Sequence, residues 1–554
     1  MLSSPHMSAA GSRDTHATRL LIVLIVALVL LAWFNRFIQD DAFISFQYAR
    51  NLAEGHGLTF NPGQRVEGYT NFLWTLMMAG GFALGVDPVA WSYVLGLTFF
   101  AGTLLLTYRL AVGLSGRAAV GLTAVLLLGG NFSFSSYATG GLETQSQAFF
   151  VVAAVWLSWM ALRTPPGSVG LLAAASAAYG LALMTRLDSA VCLLLPGLLT
   201  LSTVARAQSG AGARAARVLA LILPGFVLVA PWLAWKVSYY GGILPNTYYV
   251  KVSSAASLIR GGHYVYRFLA SFWILPLLLL AVLLRPRELT GLLRRGRPAW
   301  GGALLAAIVV WFAYVASVGG DFMEFRFIVP VMPFMMILIA WALAELVEDR
   351  RLRVAVVIVL LVGSLLHGAT FWGIRDIESI RNLAIHMEPD GGDWDEVGRT
   401  LGEYFAPDSG VTIAVGPAGV IPFYSRLRTI DMRGLVDPWV ARNGIIVSTV
   451  PGHQRMAPLA YLVEQGANLV VGHPHVISRR GGLPEAFALA SLAQLALADV
   501  SRATVPADAE VVAIPMPDDR WLLALYLVGH PAVDRAIADN GWPTVPLDDH
   551  VRGF

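Results

Sequence analysis

Two neighbouring carboxylates lie just beyond the first long apolar segment of the chain, where a membrane span would end. Asp40 and Asp41 follow the apolar residues 20–36. Ionisable side chains near a bilayer are costly, and they usually mark a functional site or a buried pair. A helix N-cap is the simpler explanation, but one cap needs only one Asp. We therefore predict a functional pair, in which a carboxylate takes the proton of an attacking hydroxyl group.

The residues after this pair are predicted to form a short helix along the membrane surface. Residues 41–53 place Asp41 at the start of a mixed polar and apolar stripe, and Gly55 ends the helix. Phe43, Ile44 and Phe46 are expected to dip into lipid. Such a helix would hold the carboxylates on a rigid element at the lipid–water boundary, as attack on a lipid-linked group requires.

Further polar residues occur in short stretches between apolar segments, and loop charges predict that these stretches share one membrane face. Arg186, Arg326 and Lys251 are predicted to bind a phosphate group, because fixed cations stabilise a leaving phosphate. Arg50 and Lys236 are weaker candidates, since long cationic side chains at an interface often only extend their charge to water. The other donor-binding candidates are carboxylates, tyrosines and one asparagine: Glu67, Tyr69, Glu143, Asp188, Tyr240, Asn246, Tyr248 and Asp321.

The composition indicates a membrane protein. The chain has 554 residues, of which 56% are hydrophobic and 14% are charged, whereas about 25% of the residues of a soluble domain are charged. A net charge of +3 without a long basic block argues against a nucleic-acid partner. Cys192 is the only cysteine, so no intramolecular disulfide can form.

Apolar segments long enough to cross or nearly cross a bilayer recur up to residue 372. They are predicted at 20–36, 72–86, 89–112, 118–132, 146–163, 169–184, 189–203, 217–236, 264–284, 301–318, 328–347 and 354–372. Lys and Arg in the loops allow one net crossing between residues 37 and 113, so 72–86 is predicted to enter the bilayer without crossing. This gives about eleven transmembrane helices and an extracytoplasmic C-terminus. If 72–86 does cross, the C-terminal domain would face inward.

The composition changes near residue 374. Residues 1–374 are predicted to be a transmembrane catalytic domain with a first outer loop at 37–71, and residues 375–554 a soluble α/β domain. Helical patterns and β-type runs alternate in the second part. The helices are predicted at 396–405 and 457–465, and the strands at 411–415, 468–472 and 510–515.

Six stretches carry a family resemblance. They read DDAFISFQYARNLAEGHGLTFNPGQRVEGYTNFLW (40–74), GLET (141–144), YYGGILPNTYYVK (239–251), GGDFMEFRFIVPVMP (319–333), DMRGLVDPWVAR (431–442) and PGH (451–453). The chain resembles the GT-C fold glycosyltransferases, membrane enzymes that use polyprenyl-phosphate sugars. Within that group it is most similar to the AftB-like terminal arabinofuranosyltransferases of actinobacterial cell walls.

The resemblance implies an inverting transfer of an arabinofuranosyl residue from decaprenyl-phosphate to the non-reducing end of a cell-envelope glycan. The active site would be extracytoplasmic, in a multi-pass protein of the plasma membrane, with Asp40 and Asp41 as the catalytic carboxylates. It also implies that the C-terminal domain packs over the site and helps hold the acceptor, with Asp437 and His453 as candidates. The expected partners are a polyprenyl-phosphate sugar donor, a glycan acceptor and the lipid bilayer. No cofactor is assigned, and a divalent cation shared by the aspartates stays open.

Two alternatives stay open. Another GT-C transferase could use the same donor class with a different sugar, or with a protein or lipid acceptor. A lipid-linked sugar flippase would show ionisable residues along the membrane midplane and inverted repeats. The ionisable residues of this chain instead cluster at one predicted face, and no repeat is visible, so the sequence favours the transferase.

Overall fold

A computed structural model describes residues 6–163, 168–250, 255–284, 298–374, 376–488 and 505–548. Its helices are α1 (His6–Phe34), α2 (Asp40–Ala53), α3 (Phe72–Ala83), α4 (Pro88–Ser115), α5 (Ala118–Gly129), α6 (Phe132–Ser136), α7 (Thr144–Arg163), α8 (Val169–Thr185), α9 (Ser189–Arg206), α10 (Ala211–Tyr240), α11 (Asn246–Val250), α12 (Ala255–Ser271), α13 (Ile274–Leu284), α14 (Pro298–Ser317), α15 (Met332–Leu346), α16 (Arg350–Thr370), α17 (Ile380–Ile385), α18 (Trp394–Tyr404), α19 (Val420–Ser425), α20 (Pro438–Asn443), α21 (Leu459–Glu464) and α22 (Pro531–Asn540). The chain forms two compact units. The first comprises Met1–Phe37, Val89–Ala234 and Ala255–Ile380, and the second comprises Ile38–Pro88, Trp235–Ser254 and Arg381–Phe554.

Within the described residues, eight helices are long and apolar enough to cross a membrane. They are Thr15–Phe34, Pro88–Ser115, Thr144–Arg163, Ser189–Arg206, Ala211–Tyr240, Ala299–Ser317, Arg326–Leu346 and Arg350–Thr370. Apolar side chains of the least buried of these helices face outward: Val23 on α1 is 67% exposed and Leu365 on α16 is 72% exposed. Large apolar side chains with this exposure indicate a lipid environment. The prediction of a polytopic α-helical membrane protein is therefore confirmed.

The remaining predicted crossings are a bent helix pair and two short helices. α12 and α13 meet at an angle of 77°, where Trp273 has a left-handed φ of 60° that breaks a right-handed helix. α5 and α8 have 12 and 17 residues. α3, within the segment predicted not to cross, has 12 residues and is about 18 Å long, against a hydrocarbon core of about 30 Å. The number of crossings and the side of the C-terminus stay predictions.

The second unit contains a mixed seven-stranded sheet. Its strands are β1 (Thr412–Val415), β2 (Arg428–Asp431), β5 (Leu469–Ser478), β6 (Phe487–Ala488), β7 (Glu510–Met516), β8 (Arg520–Tyr526) and β9 (Thr544–Asp548), while β3 (Ile445–Ile446) and β4 (Arg455–Met456) pair separately. The sheet order is β2-β1-β5-β8-β7-β9-β6. β1 is parallel to β2 and β5, with Ile413 opposite both Thr429 and Leu469. All four residues of β1 are buried, as expected for an apolar central strand.

The predicted α/β pattern of the C-terminal part is confirmed. Strands lie at each of the three predicted β-type runs, and α18 and α21 occupy the predicted helical positions. Apolar residues of all seven strands of the sheet, among them Ala414, Ile430, Val470, Val511 and Leu525, form one core.

The first outer loop packs against this α/β part within the second unit. The predicted helix is present as α2, and Gly55 follows its end with a φ of 87°. The expectation that its aromatic side chains reach lipid is wrong. Phe43 and Phe46 are at most 2% exposed, and their rings lie 5.3 and 6.4 Å from that of Phe423 on α19. Burial against an aromatic ring removes more apolar surface from water than contact at an interface would.

Candidate active site

Asp40 is held by the backbone at the start of α19. Its Oδ1 accepts a hydrogen bond from the N–H of Val420 at 2.7 Å, and its Oδ2 accepts one from Gly419 at 3.1 Å. A Cβ on Gly419 would lie 1.9 Å from the backbone oxygen of Asp40, so only glycine permits this approach. Asp40 is 9% exposed. Both of its oxygens therefore serve to join α2 to the C-terminal part of the second unit.

The environment of Asp40 favours its protonated form. The pKa of Asp40 is raised to about 7, mainly by burial and in part by the charge of Asp41, while the two backbone N–H groups and His386 act in the opposite direction. Asp41 is half-buried, whereas Asp40 is buried. The two carboxylates therefore have different environments, and Asp41 is the one more open to a substrate.

Arg50 also joins α2 to α19. Its Nη1 donates to the backbone oxygen of Phe423 at 2.7 Å, its guanidinium lies 4.5 Å from the centre of the Phe423 ring, and its Nη2 donates to Gln47. These contacts give Arg50 a packing role that the sequence did not reveal. Its role as a phosphate ligand stays a weaker prediction.

Glu67 and Lys236 form a buried ion pair. Their charged atoms are 2.9 Å apart, and both side chains are at most 5% exposed. Burial raises the pKa of Glu67 to about 7, while Lys236 acts in the opposite direction. Close by in sequence, the hydroxyl of Tyr240 donates to the backbone oxygen of Leu58 at 2.7 Å and lies 3.2 Å from that of Tyr69. The second unit thus contains two contacting pairs of candidate side chains, Glu67 with Lys236 and Tyr69 with Tyr240.

Asn246 and Asp437 make contacts of structural type. The amide of Asn246 donates to the backbone oxygens of Gly434 and Leu435, at 2.8 and 3.1 Å. Asp437 caps α20 and accepts a hydrogen bond from the Tyr461 hydroxyl at 2.9 Å. An acceptor-binding role for Asp437 stays a prediction.

The other candidates of this unit differ in exposure. Tyr248 is 57% exposed, and His453 is half-buried. Lys251 lies outside the described residues.

Arg186 is the centre of an ion-pair cluster in the first unit. Its Nη1 lies 2.7 Å from Oε1 of Glu143, and its Nη2 lies 2.7 Å from Oδ2 of Asp188. Gln147 and Tyr314 also bind Asp188, at 3.1 and 3.4 Å. Two of the carboxylates predicted as donor-binding residues are therefore in contact with this arginine.

Arg326 lies beside the same cluster. Its Nε donates to Asp321 at 2.7 Å, as expected for a carboxylate that orients a cation. The guanidiniums of Arg186 and Arg326 each lie 5.3 Å from the centre of the Phe327 ring. The ring thus brings the two predicted phosphate ligands together. Phe327 was not among the residues predicted for the site, although its position directly after Arg326 was a signal.

The cluster around Phe327 is rich in negative charge. Two guanidiniums face three carboxylates, those of Glu143, Asp188 and Asp321. A phosphate group would have to compete with these carboxylates for the arginine N–H groups. The described residues contain no group of three or more His, Cys, Asp or Glu side chains arranged to hold a metal ion, and we derive no step through a metal.

The structure has the fold of the GT-C membrane glycosyltransferases. The crystal structure of ArnT from Cupriavidus metallidurans bound to undecaprenyl phosphate superposes with a TM-score of 0.55, covering 91% of this chain and 97% of that one at 17% identity. Its apo form gives 0.52 at 15% identity, with the same coverage of both chains. At this identity the match establishes the fold alone.

The sequence comparisons are more specific. The terminal beta-(1->2)-arabinofuranosyltransferase of Mycobacterium tuberculosis is 30% identical over 325 residues, which cover 53% of this chain and 51% of the relative. The protein of the same name from Corynebacterium glutamicum is 27% identical over 376 residues, covering 58% and 51%. The resemblance stated from the sequence is confirmed, and the chain spans about half the length of these curated relatives. A domain of unknown function, DUF8728, matches residues 379–523.

Proposed function

We propose that the protein is a membrane glycosyltransferase that moves an arabinofuranosyl residue, with inversion, from decaprenyl-phosphate to the non-reducing end of a cell-envelope glycan. The similarity to two terminal beta-(1->2)-arabinofuranosyltransferases supports the sugar. The shared fold with ArnT, which was crystallised with undecaprenyl phosphate, is consistent with a polyprenyl-phosphate donor. The reaction would take place on the extracytoplasmic side of the plasma membrane.

The observation that carries this proposal is the contrast between the two adjacent aspartates. Asp40 is fixed by two backbone N–H groups, and Asp41 is half-buried on the same rigid helix. We assign Asp41 as the general base and Asp40 as a positioning residue, because a base must reach the hydroxyl proton while its helix stays fixed.

The reaction proceeds as one displacement. The acceptor hydroxyl oxygen attacks the anomeric carbon, Asp41 takes the hydroxyl proton, and the bond between that carbon and the phosphate oxygen breaks. Inversion follows from attack opposite the leaving group. The polyprenyl phosphate leaves with the bonding electron pair, and Arg186 and Arg326 are proposed to bind its charge. Proton removal by the base contributes about 100- to 10,000-fold in rate.

A transfer assay with the purified full chain in nanodiscs tests the base. The donor is labelled decaprenyl-phosphate arabinose, and the acceptors are a panel of arabinan fragments. Asp41→Asn is expected to lower kcat by at least about 100-fold, with unchanged thermal unfolding. Asp539→Asn, on the exposed face of α22, is the matched control and keeps full activity. Full activity of Asp41→Asn would refute the assignment of the base.

A donor panel separates this proposal from the alternatives. Transfer from a polyprenyl-phosphate mannose or aminoarabinose, but not from the arabinose donor, would favour another GT-C transferase. Translocation of labelled donor across liposomes without any transfer product would favour the flippase.

A further inference from the structure

A cavity of about 150 Å³ lies in the first unit, and Asp321, the partner of Arg326, is the one lining residue that the sequence had predicted for a site. Six of its lining residues matter here: Arg260, His263, Tyr264, Arg267, Asp321 and Asp376. Two candidate spans end a few residues before the segments that line the cavity: α14 ends at Ser317 and α16 ends at Thr370. The cavity therefore lies near a membrane boundary, and Trp372 nearby is 58% exposed, as is typical of such boundaries.

Arg260 is the unusual residue of this cavity. It is only 9% exposed, and its Nε donates to the backbone oxygen of Gly319 at 3.0 Å. Its Nη1 is buried and has no hydrogen-bond partner among the described residues. A buried charged donor without a partner is costly. Nη1 of Arg260 can therefore receive a hydrogen-bond acceptor that the described residues do not supply.

Two consecutive glycines make room for this arrangement. Gly319 has a φ of 87°, and a Cβ there would lie 2.5 Å from Nη2 of Arg260. Gly320 has a φ of 72°, and a Cβ there would lie 2.8 Å from Cβ of Tyr264. The backbone conformation and the close approach both require glycine. Because Gly319 and Gly320 have no side chains, the backbone leaves room for the buried guanidinium of Arg260.

The charges around the cavity favour an anion. Arg260, His263 and Arg267 lie at i, i+3 and i+7 on α12, which places them on one helix face. Asp321 is paired with Arg326 at 2.7 Å. Asp376, the other carboxylate in the lining, interacts with Arg260 and offsets only part of the charge of the two arginines. The exposed Arg267, taken by itself, needs no ligand, because a long cationic side chain at an interface often only extends its charge to water. That explanation fails for Arg260, because its charge is buried.

We propose that this cavity binds the phosphate group of a lipid, with Arg260 and Arg267 as its ligands. Arginine presents paired donors that match phosphate oxygens, and basic pockets between membrane helices bind lipid head groups. The volume is about ten times the ~10–15 Å³ that one water needs. Leu258 and Ile259, on the same helix, are 56% and 64% exposed and offer an apolar surface for the lipid chain. The phosphate could come from a polyprenyl phosphate or from a bilayer phospholipid.

Lipid binding to the purified full chain tests the proposal without any transfer reaction. The probes are decaprenyl phosphate, phosphatidylglycerol and decaprenol, which lacks the phosphate, with dissociation constants measured by native mass spectrometry in detergent. Arg260→Gln is expected to weaken at least one phosphate lipid by about 10- to 100-fold and to leave decaprenol unchanged. Arg117→Gln, which removes an exposed arginine paired with Glu345, is the matched control and binds all probes as the natural chain does.

The affinities of Arg260→Gln for the three lipids decide whether the cavity binds a lipid phosphate. Natural affinity of Arg260→Gln for both phosphate lipids overturns the proposal, and so does an equal loss for decaprenol. If Arg260→Gln does not fold, Arg267→Gln decides, because its side chain is exposed: several-fold weaker binding of a phosphate lipid supports the site, and unchanged binding overturns it. Selective loss of decaprenyl phosphate identifies a polyprenyl lipid, and selective loss of phosphatidylglycerol identifies a bilayer head group. A failed transfer assay would leave this result untouched.

Discussion

The buried carboxylate of Asp40 predicts how the stability of the second unit depends on pH. Its pKa is about 7 in the folded chain and 3.8 when unperturbed, so between these values the folded state holds a proton that the unfolded state has lost. The stabilisation is full below about pH 4 and is lost as the pH rises through 7. Each pH unit changes the free energy by about 1.4 kcal/mol, which gives about 4 kcal/mol over the window.

Asp40→Asn removes this titration. The variant keeps one acceptor oxygen for the backbone N–H of Gly419 or Val420. Its amide NH2 group faces the other backbone N–H and cannot accept a hydrogen bond from it, so the variant is less stable by about 1–3 kcal/mol at low pH. Its disadvantage should shrink as the pH rises from 4 to 7, because only the natural chain loses stability there through this group.

Unfolding in detergent, followed by hydrogen exchange of the peptides that contain β1 and α19, measures this difference at each pH. Exchange rates are corrected for the intrinsic effect of pH. Asp539→Asn, a change at an exposed carboxylate, should follow the natural chain throughout. An identical pH slope for Asp40→Asn and the natural chain would refute the reasoning.

Two further predictions concern packing and the arginine cluster. Gly419→Ala places a Cβ 1.9 Å from the backbone oxygen of Asp40, so the unfolding free energy should fall by about 1–3 kcal/mol. Gly210→Ala is the control, because a Cβ there has no atom within 4 Å, and its unfolding free energy should change by no more than about 0.5 kcal/mol. Equal effects of the two changes in thermal unfolding would contradict the close approach. Arg186→Lys loses the forked guanidinium that binds two carboxylates, and it should raise the KM for the donor more than the KM for the acceptor. Arg326→Lys should behave in the same way. Equal effects on the two KM values would argue against a phosphate-binding role.

Local patterns predicted much of this structure. The composition alone required lipid around most of the chain, and the strands near residues 412, 469 and 510 followed from short apolar runs between turns. Arg186 and Asp188 are two positions apart, so their ion pair was visible in the sequence. The burial of Arg260 could not be predicted from the sequence, because a buried arginine and an exposed one look the same in a helical pattern.

The sequence by itself determined what depends on neighbouring residues: a polytopic helical membrane protein, the elements of its α/β part and the presence of a carboxylate pair. Only the tertiary structure decided which aspartate of that pair is buried, because the partner N–H group of Gly419 lies 379 residues away. It also decided that Phe43 packs on Phe423 and not on lipid, and that Arg186 and Arg326 share the ring of Phe327. Hydrophobic periodicity fixes which face of a helix is apolar, but contacts between distant segments fix what covers that face.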